Sequence, residues 1–210
     1  MARRKTTGRA RIVAKAQLPT RFGRFTIFGV EGARKGEEGV ALVRGKARDG
    51  AGSNGNKAPL VRVHSQCLTG DVFTSERCDC RAQLELALRE IAKEPAGVLL
   101  YLPQEGRGIG LLNKLKAYEL QDRGLDTVEA NRKLGFAADS RDYDFAAAAL
   151  KALGVWRVRL LSNNPDKVKQ LEHGGIRVVE RVPCRPPTSR ISRGYLRTKK
   201  DKLGHILAGL

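Results

Sequence analysis

Apolar and polar residues alternate along the first third of the chain, and this pattern predicts strands. Three segments, 11–19, 23–30 and 39–45, place apolar side chains at about every second position and are interrupted by glycine. Residues 47–58 are rich in glycine, asparagine and serine, which predicts a loop, and residues 60–64 predict a short strand after it. We therefore expect a β-rich N-terminal part that forms an antiparallel sheet.

Beyond residue 80 the apolar positions alternate between helical and strand periods. Within 81–93, Leu84, Leu88 and Ile91 recur every three or four residues, as on one face of a helix. Similar patterns predict helices at 110–124, 142–154 and 163–175, and strands at 97–103 and 157–162, before 176–182 ends the regular structure. Strands that alternate with helices indicate a parallel or mixed sheet, so the expected fold class is α+β (mixed α/β).

The length and composition suit one globular domain. The chain has 210 residues, 41% hydrophobic and 30% charged, and domains run at about 100–200 residues. We expect a basic flexible N-terminus at 1–14 and a single domain at 15–205. No apolar run approaches the roughly 20 residues that span a bilayer, and the basic start lacks the apolar stretch of a secretory signal. We therefore expect a cytoplasmic protein with no membrane partner.

The charge is strongly positive and is concentrated near both ends. Lys and Arg outnumber Asp and Glu by 40 to 22, a net charge of +18. Such a balance points to an anionic partner, although basic ends can also simply be solvated. No zinc-finger, basic-zipper or RNA-recognition pattern accompanies the charge. We therefore do not expect nucleic acid as a partner, and basic ends that help to hold a phosphorylated ligand remain an alternative.

Three of the four cysteines form a cluster with the spacing Cys67-x10-Cys78-x-Cys80. Without a secretion signal, clustered thiols indicate metal ligands before disulfides, and thiolates select zinc or an iron–sulfur centre. Three protein ligands leave a fourth position open, as in a catalytic zinc site. His64 could supply a fourth ligand, contact a substrate or serve the structure only. Cys184, far along the chain, is expected to be an ordinary buried thiol.

Two strand-to-helix junctions carry candidate ligand-binding residues. Glu105 could accept from a donor edge such as a guanine N–H, and Arg107 could bind an anion, or both could belong to an ordinary loop. In the second junction, Lys167 follows a helix start at Asn164 and Pro165. A lysine there opposes the positive helix end unless an anion is bound, which slightly favours contact with a ligand.

Asp139 and Arg141 lie in a stretch of small residues before the alanine-rich helix. Taken locally, Asp139, Ser140 or Asp142 could cap that helix. The alternative is a catalytic role for Asp139 and Arg141.

Taken together and in order, these segments resemble GTP cyclohydrolase II. The resemblance covers roughly residues 15–205, and several correctly spaced motifs are far more specific than one. It is carried by RVHSQCLTGD (62–71), ERCDC (76–80), QLE (83–85), QEGRGIGLLNKLKAY (104–118), QDRGLDTVEANRKLGFAADSRD (121–142), LLSNNPDKV (161–168) and YLRTKKDKLGH (195–205).

The resemblance implies roles for individual residues. Cys67, Cys78 and Cys80 match zinc ligands, Asp139 a general base and Tyr118 an active-site tyrosine. Arg141 matches a proposed nucleophile towards the α-phosphate, although a permanently protonated guanidinium could instead only stabilise phosphoryl charge. The residues that match the GTP-binding positions are Arg62, Val63, His64, Ser65, Gln66, Gln83, Glu105, Gly106, Arg107, Thr127, Ser162 and Lys167.

The resemblance also implies a reaction, cofactors and an assembly. The reaction converts GTP to 2,5-diamino-6-ribosylamino-4(3H)-pyrimidinone 5′-phosphate, formate and pyrophosphate, at the start of riboflavin biosynthesis. One Zn²⁺ per subunit and Mg²⁺ with the triphosphate would take part, in a homodimer. The domain at 15–205 would then be a single catalytic domain with a GTP cyclohydrolase II-like fold.

The sequence departs from the family pattern at three positions. Gln66 stands where the family usually has Glu, Arg81 where it usually has Gly, and Ser162 where it usually has Thr. Two alternatives follow. One is a paralogue that serves a secondary-metabolite pathway or stops at a formylated intermediate. The other is a non-catalytic protein that binds a nucleotide or a nucleic acid.

Overall fold

The computed structural model describes residues 8–47, 57–186 and, near the end of the chain, residues 200, 201, 204 and 206. Residues 1–7, most of the predicted loop at 47–58 and most of the matching tail at 195–205 therefore lie outside the described residues. Strand β1 begins at Ala10, within the segment expected to be a flexible N-terminus.

Seven strands form one mixed sheet in the order β1-β2-β3-β5-β4-β6-β7. Strands β1, β2, β3 and β5 pair antiparallel, whereas β5, β4, β6 and β7 pair parallel. The antiparallel start and the mixed sheet confirm the fold class expected from the sequence. The strands are β1 Ala10–Thr20, β2 Gly23–Gly32, β3 Glu38–Arg44, β4 Leu60–Ser65, β5 Gly97–Leu102, β6 Arg157–Leu161 and β7 Arg177–Val182.

The described part of the chain contains six α-helices and one short 3₁₀ turn. The four helices predicted from periodicity are present within two residues of the expected ends, whereas α1, α4 and the 3₁₀ turn were not predicted. The helices are α1 Leu68–Asp71, α2 Cys80–Lys93, α3 Leu111–Asp122, α4 Thr127–Lys133, α5 Asp144–Ala152 and α6 Pro165–His173, and the 3₁₀ turn is Glu105–Gly108. No described helix is long and apolar enough to cross a membrane.

The helix ends show which local signals were correct. The side chain of Asn164 accepts from the Asp166 N–H, with Pro165 in the first turn of α6, which confirms the predicted cap. The alternative that Asp139, Ser140 or Asp142 caps the alanine-rich helix α5 is wrong. Helix α5 follows Tyr143, and no side chain caps it.

Strands β4 and β5 are buried on both faces. This burial explains the almost continuous apolar run of β5. Val61, Val63 and Leu100 face one cluster under α5 and α6, whereas Leu60 and Leu99 face a second cluster under α2. This period-two alternation assigns each side chain to one face of the sheet. Cys184 is 1% exposed and packs in the second cluster, as expected for an ordinary buried thiol.

The parallel half of the sheet positions the site. Strands β4, β5 and β6 end at Ser65, Leu102 and Leu161, and several predicted site residues lie on the last residues of β4 or shortly after these three ends. Because the carboxyl ends of parallel strands meet at one edge of the sheet, the topology brings these segments together there.

Candidate active site

A cavity of about 1110 Å³, part of it open to solvent, lies at this edge of the sheet. Of the residues predicted to be catalytic, GTP-binding or metal-binding, all line it except Val63 and Asp139. Val63 is fully buried in the core and contributes its backbone carbonyl, and Asp139 pairs with the lining residue Arg141. Lining residues that the sequence reasoning missed are Arg77, Gln104, Ile109, Lys114, Ala117, Gln121, Asn131, Asn163 and Asn164.

The sulfur atoms of Cys67, Cys78 and Cys80 lie within 4.8 Å of one another at the wall of the cavity. Cys67 precedes α1 and Cys80 begins α2, so the two helix starts hold the cluster. None of the three forms a disulfide. The Cys67 and Cys78 sulfurs are 3.7 Å apart, and two sulfurs at about 2.3 Å from one tetrahedral zinc ion lie about 3.8 Å apart. The residues therefore fit a zinc ion.

Gly70 leaves the room that the three thiols occupy. A Cβ atom at this position would lie 3.0 Å from the Cys78 sulfur and 3.2 Å from the Cys67 sulfur. Both distances are shorter than ordinary contacts, so a larger residue would press on two of the three sulfurs. A glycine on α1 is thus part of the cradle for the thiols.

The pKa values of the three thiols are shifted in different directions. Hydrogen bonds from Cys78 and Cys80 lower the pKa of Cys67, and the nearby Lys114 adds to the effect. The hydrogen bond to Cys67, together with burial, raises the pKa of Cys78 to about 11, and the pKa of Cys80 is raised in the same way. Metal ligation requires deprotonated thiols and releases their protons, so a bound cation would leave all three sulfurs deprotonated.

Lys114 on α3 is the closest charged side chain to this cluster, and the sequence reasoning did not single it out. Its Nζ donates to the Cys67 sulfur at 3.1 Å, to the Thr69 hydroxyl at 2.9 Å and to the Glu105 carboxylate at 2.8 Å. Burial opposes the charged form of Lys114, but Glu105, Cys67 and Tyr118 together raise its pKa. A signal for Lys114 existed in the sequence, since it stands four residues before Tyr118 on a predicted helix.

Glu105 connects the 3₁₀ turn to the cysteine segment. Its carboxylate accepts from the Leu68 N–H at 2.6 Å, from the Gly106 N–H at 2.9 Å and from Lys114. These bonds leave room for about one more donor on the two oxygens. Its position as a contact for a guanine edge stays a prediction, whereas its contacts with the Cys67 segment are direct.

His64 faces the cavity from β4 without joining the thiols. Its Nε2 lies 3.2 Å from the Asp71 carboxylate, which also accepts from Tyr101 and from the Cys67 N–H. The ring stacks on Tyr101, and burial lowers its pKa. The possibility that His64 is a fourth ligand is not supported, because among the described residues the group of candidate ligand atoms contains the three sulfurs and neither nitrogen of His64. The buried Nδ1 has no hydrogen-bond partner among the described residues.

Arg62 and Gln83 form one wall of the cavity. The Arg62 guanidinium donates to the Leu161 carbonyl at 3.0 Å and to the Gln83 side chain, which in turn donates to Asp79. This chain of bonds fixes the guanidinium between β4 and α2. Ser65, on the next strand position facing the cavity, donates to Gln104 at 2.9 Å.

Lys167 lies almost fully buried in the first turn of α6. Its Nζ donates to the Val63 carbonyl at 2.8 Å and sits 4.9 Å from the centre of the Tyr143 ring. Burial, together with the charges of Arg62 and Arg141, lowers the pKa of Lys167 well below its usual value. The Ser162 hydroxyl accepts from the Asn164 N–H at 3.1 Å, so it supports the turn that presents Lys167.

Asp139 and Arg141 form a bidentate ion pair beside the cavity. The guanidinium Nε and the backbone N–H of Arg141 donate to Asp139 at 2.9 Å and 3.1 Å, and a second guanidinium nitrogen contacts the other oxygen. Burial opposes ionisation of the carboxyl, but Arg141 outweighs it and holds the pKa of Asp139 below its usual value. The pair is therefore ionised at neutral pH.

Tyr118 lies on the same face of α3 as Lys114. Its hydroxyl is 3.1 Å from the Thr69 hydroxyl, and the Arg77 guanidinium stacks 4.8 Å from the centre of its ring. Burial raises the pKa of the phenol, which is neutral at physiological pH. Thr127 starts α4 behind a capping box formed by Asp126 and Glu129 and lines the cavity nearby.

The three departures from the family pattern fall in different settings. Gln66 lines the cavity, and its N–H donates to the Leu102 carbonyl. Ser162 keeps a hydroxyl at the turn. Arg81 is not among the lining residues and bonds to Glu85 at 3.0 Å and to the Asp71 carbonyl at 2.9 Å. Its charge is thus used to tie α1 to α2.

Comparisons with known proteins agree with this arrangement. A profile of the GTP cyclohydrolase II family matches residues 10–183. GTP cyclohydrolase-2 of Pseudomonas aeruginosa is 56% identical over 198 residues, 94% of each chain. The riboflavin biosynthesis protein RibBA of Bacillus cereus is 54% identical over 194 residues, which are 92% of this chain and 47% of that protein. This chain thus spans about half of RibBA.

Among solved structures, this chain is similar to RibBX, a two-domain 3,4-dihydroxy-2-butanone 4-phosphate synthase from A. baumannii. The TM-score is 0.42 at 18% sequence identity, over 73% of this chain and 34% of that chain.

Proposed function

The chain belongs to the GTP cyclohydrolase II family, and we propose that it is a zinc-dependent hydrolase of riboflavin biosynthesis that opens the imidazole ring of GTP. The products would be formate, pyrophosphate and 2,5-diamino-6-ribosylamino-4(3H)-pyrimidinone 5′-phosphate. The observation that carries the proposal is a cluster of three thiols in the wall of a cavity lined by basic residues.

The metal would be held by Cys67, Cys78 and Cys80, which line the cavity. Zinc, when bound, supplies Lewis acidity and activates water near neutral pH. The cradle at Gly70 and the bond from Lys114 hold the sulfurs in place for this purpose.

The basic side chains suit the triphosphate of GTP, with Mg²⁺ bound to it. Six basic residues among the described ones line the cavity, against one carboxylate, Glu105; the six are Arg62, Arg77, Arg107, Lys114, Arg141 and Lys167. Three of them lie in direct or near contact with carboxylates, whereas Arg62 and Lys167 donate to neutral carbonyl and amide oxygens. An anion at this wall would therefore meet uncompensated positive charge.

The side chains of Arg141 and Tyr118 would act on the substrate in different ways. Arg141 is ion-paired, and pairing with Asp139 strengthens the protonated guanidinium, so stabilisation of phosphoryl charge is favoured over nucleophilic attack. Asp139 would be a weak general base while Arg141 is paired with it, because the pairing holds its pKa below the usual value. Tyr118, as a neutral phenol held by Thr69, is suited to donate a hydrogen bond or relay a proton.

The test follows three products at once. Zinc-loaded protein is incubated with GTP and Mg²⁺, and formate, pyrophosphate and the diaminopyrimidine are quantified. Equal amounts of all three support the proposed reaction and show that Gln66 is compatible with it. Pyrophosphate without formate would indicate a paralogue with interrupted ring chemistry. GTP binding without products would indicate a non-catalytic binding protein. Cys78→Ser is the matched control, expected to lose turnover and keep most nucleotide binding.

We also propose that the protein is a cytoplasmic homodimer that does not depend on nucleic acid. These expectations rest on the family resemblance and on the composition. Light scattering coupled to gel filtration gives the assembly state, and a nuclease-treated sample with unchanged mass would support the absence of bound nucleic acid.

A further inference from the structure

The ammonium group of Lys114 has a complete set of partners in a buried position. Its side chain is 11% exposed, and its three N–H donors match three acceptors within 3.1 Å, the sulfur of Cys67, the hydroxyl of Thr69 and the carboxylate of Glu105. A lysine is costly to bury, so a position with every donor used is specified by its surroundings.

Two carboxylates, those of Glu105 and Asp71, fix the backbone around Cys67. Glu105 accepts from Lys114 with one oxygen and from the Leu68 N–H, directly after Cys67, with the other. Asp71 accepts from the Cys67 N–H itself. The sulfur of Cys67 is therefore oriented by its backbone and also receives a charged donor, which no described contact provides for Cys78 or Cys80.

A charged N–H donor on one sulfur has an electronic consequence. Three thiolates carry one more negative charge than a divalent ion neutralises, and a site rich in thiolate is a weak Lewis acid. A hydrogen bond to a sulfur withdraws electron density from it and makes it a weaker donor to the metal. The ammonium group at 3.1 Å also places a compensating charge beside the cluster.

We propose that Lys114 is a positioning residue that acts through Cys67: it orients this sulfur and limits its electron donation, and Glu105 holds Lys114 for this task. The inference rests on the proposed function in one respect, namely that Cys67 binds the metal. Its chemistry is that of an outer-sphere partner of a thiolate ligand, since its three N–H donors are already used by Cys67, Thr69 and Glu105.

A purely structural role is the competing explanation, because the same bonds tie α3 to α1. The two roles predict different results for a metal-loaded variant. A structural lysine changes the stability of the fold, whereas a residue that acts through Cys67 also changes the energy of the metal–sulfur electronic transitions.

The test compares Lys114→Met and Lys114→Gln with the control Lys116→Met, which alters an exposed lysine on the same helix. Zinc affinity is measured by competition with a chromophoric chelator. Cobalt(II) is then loaded in place of zinc, and the sulfur-to-cobalt charge-transfer band is recorded without GTP. Circular dichroism verifies folding, and the glutamine variant keeps the measurement possible if the methionine variant does not fold.

We expect both Lys114 variants to bind zinc 10–100-fold more weakly, as is typical when an outer-sphere partner is removed, because the lost orientation of the Cys67 sulfur and the lost compensating charge outweigh its stronger electron donation. We also expect the charge-transfer band to move to longer wavelength, since a sulfur without its donor gives up electrons more easily. Lys116→Met should match the unaltered protein in both measurements. A folded Lys114 variant with unchanged affinity and an unchanged band would overturn the proposal.

The outcome is independent of the catalytic proposal. If the unaltered protein with zinc and GTP forms no products, the proposed function fails even when the cobalt spectra show the expected shift. If products form but the spectra do not respond to Lys114, the inference about Lys114 fails and the catalytic proposal stands.

Discussion

Replacing Gly70 with alanine should weaken metal binding while leaving the apoprotein intact. The added methyl carbon would lie 3.0 Å from the Cys78 sulfur and 3.2 Å from the Cys67 sulfur, so both must retreat by a few tenths of an ångström. Such overpacking costs about 1–3 kcal/mol. A third contact, 3.2 Å to the Cβ atom of Cys80, is present with or without metal, whereas the two sulfurs can move apart in the metal-free protein and must stay together around a bound ion. The cost therefore falls on binding, about 5–150-fold in affinity.

The same substitution should not destabilise the apoprotein, because Gly70 lies in helix α1. Alanine is favoured over glycine in a helix by about 0.5–1 kcal/mol, and this gain is present with or without metal. Gly70→Ala should thus keep or slightly raise the unfolding midpoint of the metal-free protein. Its zinc affinity, measured by chelator competition, should fall. This opposition separates a local effect on the cluster from general damage to the fold.

Gly8→Ala is the matched control for this experiment. A Cβ atom at Gly8 would meet Ala148 at 3.6 Å and the Asp144 carbonyl at 3.8 Å, which are ordinary contacts. It should leave zinc affinity unchanged. If Gly70→Ala binds zinc as tightly as the unaltered protein, the three sulfurs do not require the space above Gly70, and the assignment of this glycine to the metal cradle is refuted.

Three further changes test other parts of the site. Asp139→Asn should lower the free energy of unfolding by about 1–3 kcal/mol at pH 7, because Arg141 loses its charged partner. Since Arg141 lowers the pKa of Asp139, this stabilisation is present above about pH 4 and is lost as the pH falls further. The difference in free energy of unfolding between the variant and the unaltered protein, measured by urea titration, should therefore be smaller at pH 3 than at pH 7. Tyr118→Phe removes the bond to Thr69 and should reduce kcat by about 100-fold or more with little change in KM for GTP, and an unchanged kcat would exclude proton relay by this phenol. Asp126→Ala should cost about 1 kcal/mol of stability through the lost cap of α4, measurable by thermal unfolding.

The regular elements could be predicted from the sequence because each carries its own periodic signal. Helix α2 shows apolar spacing at Leu84, Leu88 and Ile91, and Asn164 with Pro165 marks the start of α6 by local chemistry. The strands β4 and β5 are short apolar runs bounded by polar residues. These signals depend on neighbours along the chain, which a sequence displays directly.

The elements that were missed are short and are held by distant residues. Helix α1 has four residues and is fastened by Glu105, which bonds to the Leu68 N–H from 37 positions away. The 3₁₀ turn depends on positive φ angles at Gly106 and Arg107. No window of sequence reports such contacts. The capping box at Asp126 is different, since its spacing was readable and was overlooked.

The residues of the site could be found by resemblance to a family, but their connections could not. Spacing predicted the three thiols as metal ligands, and the structure brings their sulfurs together, yet spacing gave no partner for Glu105 and did not indicate Lys114. Helical periodicity would have sufficed for Lys114, because residues 114, 117, 118 and 121 all line the cavity on one face of α3. Matching a motif one residue at a time does not show which of its residues lie on the same face of a helix.

The positive charge of the chain has its clearest use inside the fold rather than at the ends. Arg62 and Lys167 are both buried at the cavity wall, and the charge of Arg62 contributes to the lowered pKa of Lys167. Two like charges with neutral oxygen acceptors destabilise the unliganded fold. A polyphosphate at this wall would relieve the repulsion and raise the pKa of Lys167. The cost of placing these cations together is thus recovered when the anion binds, which couples the stability of this region to occupancy of the site.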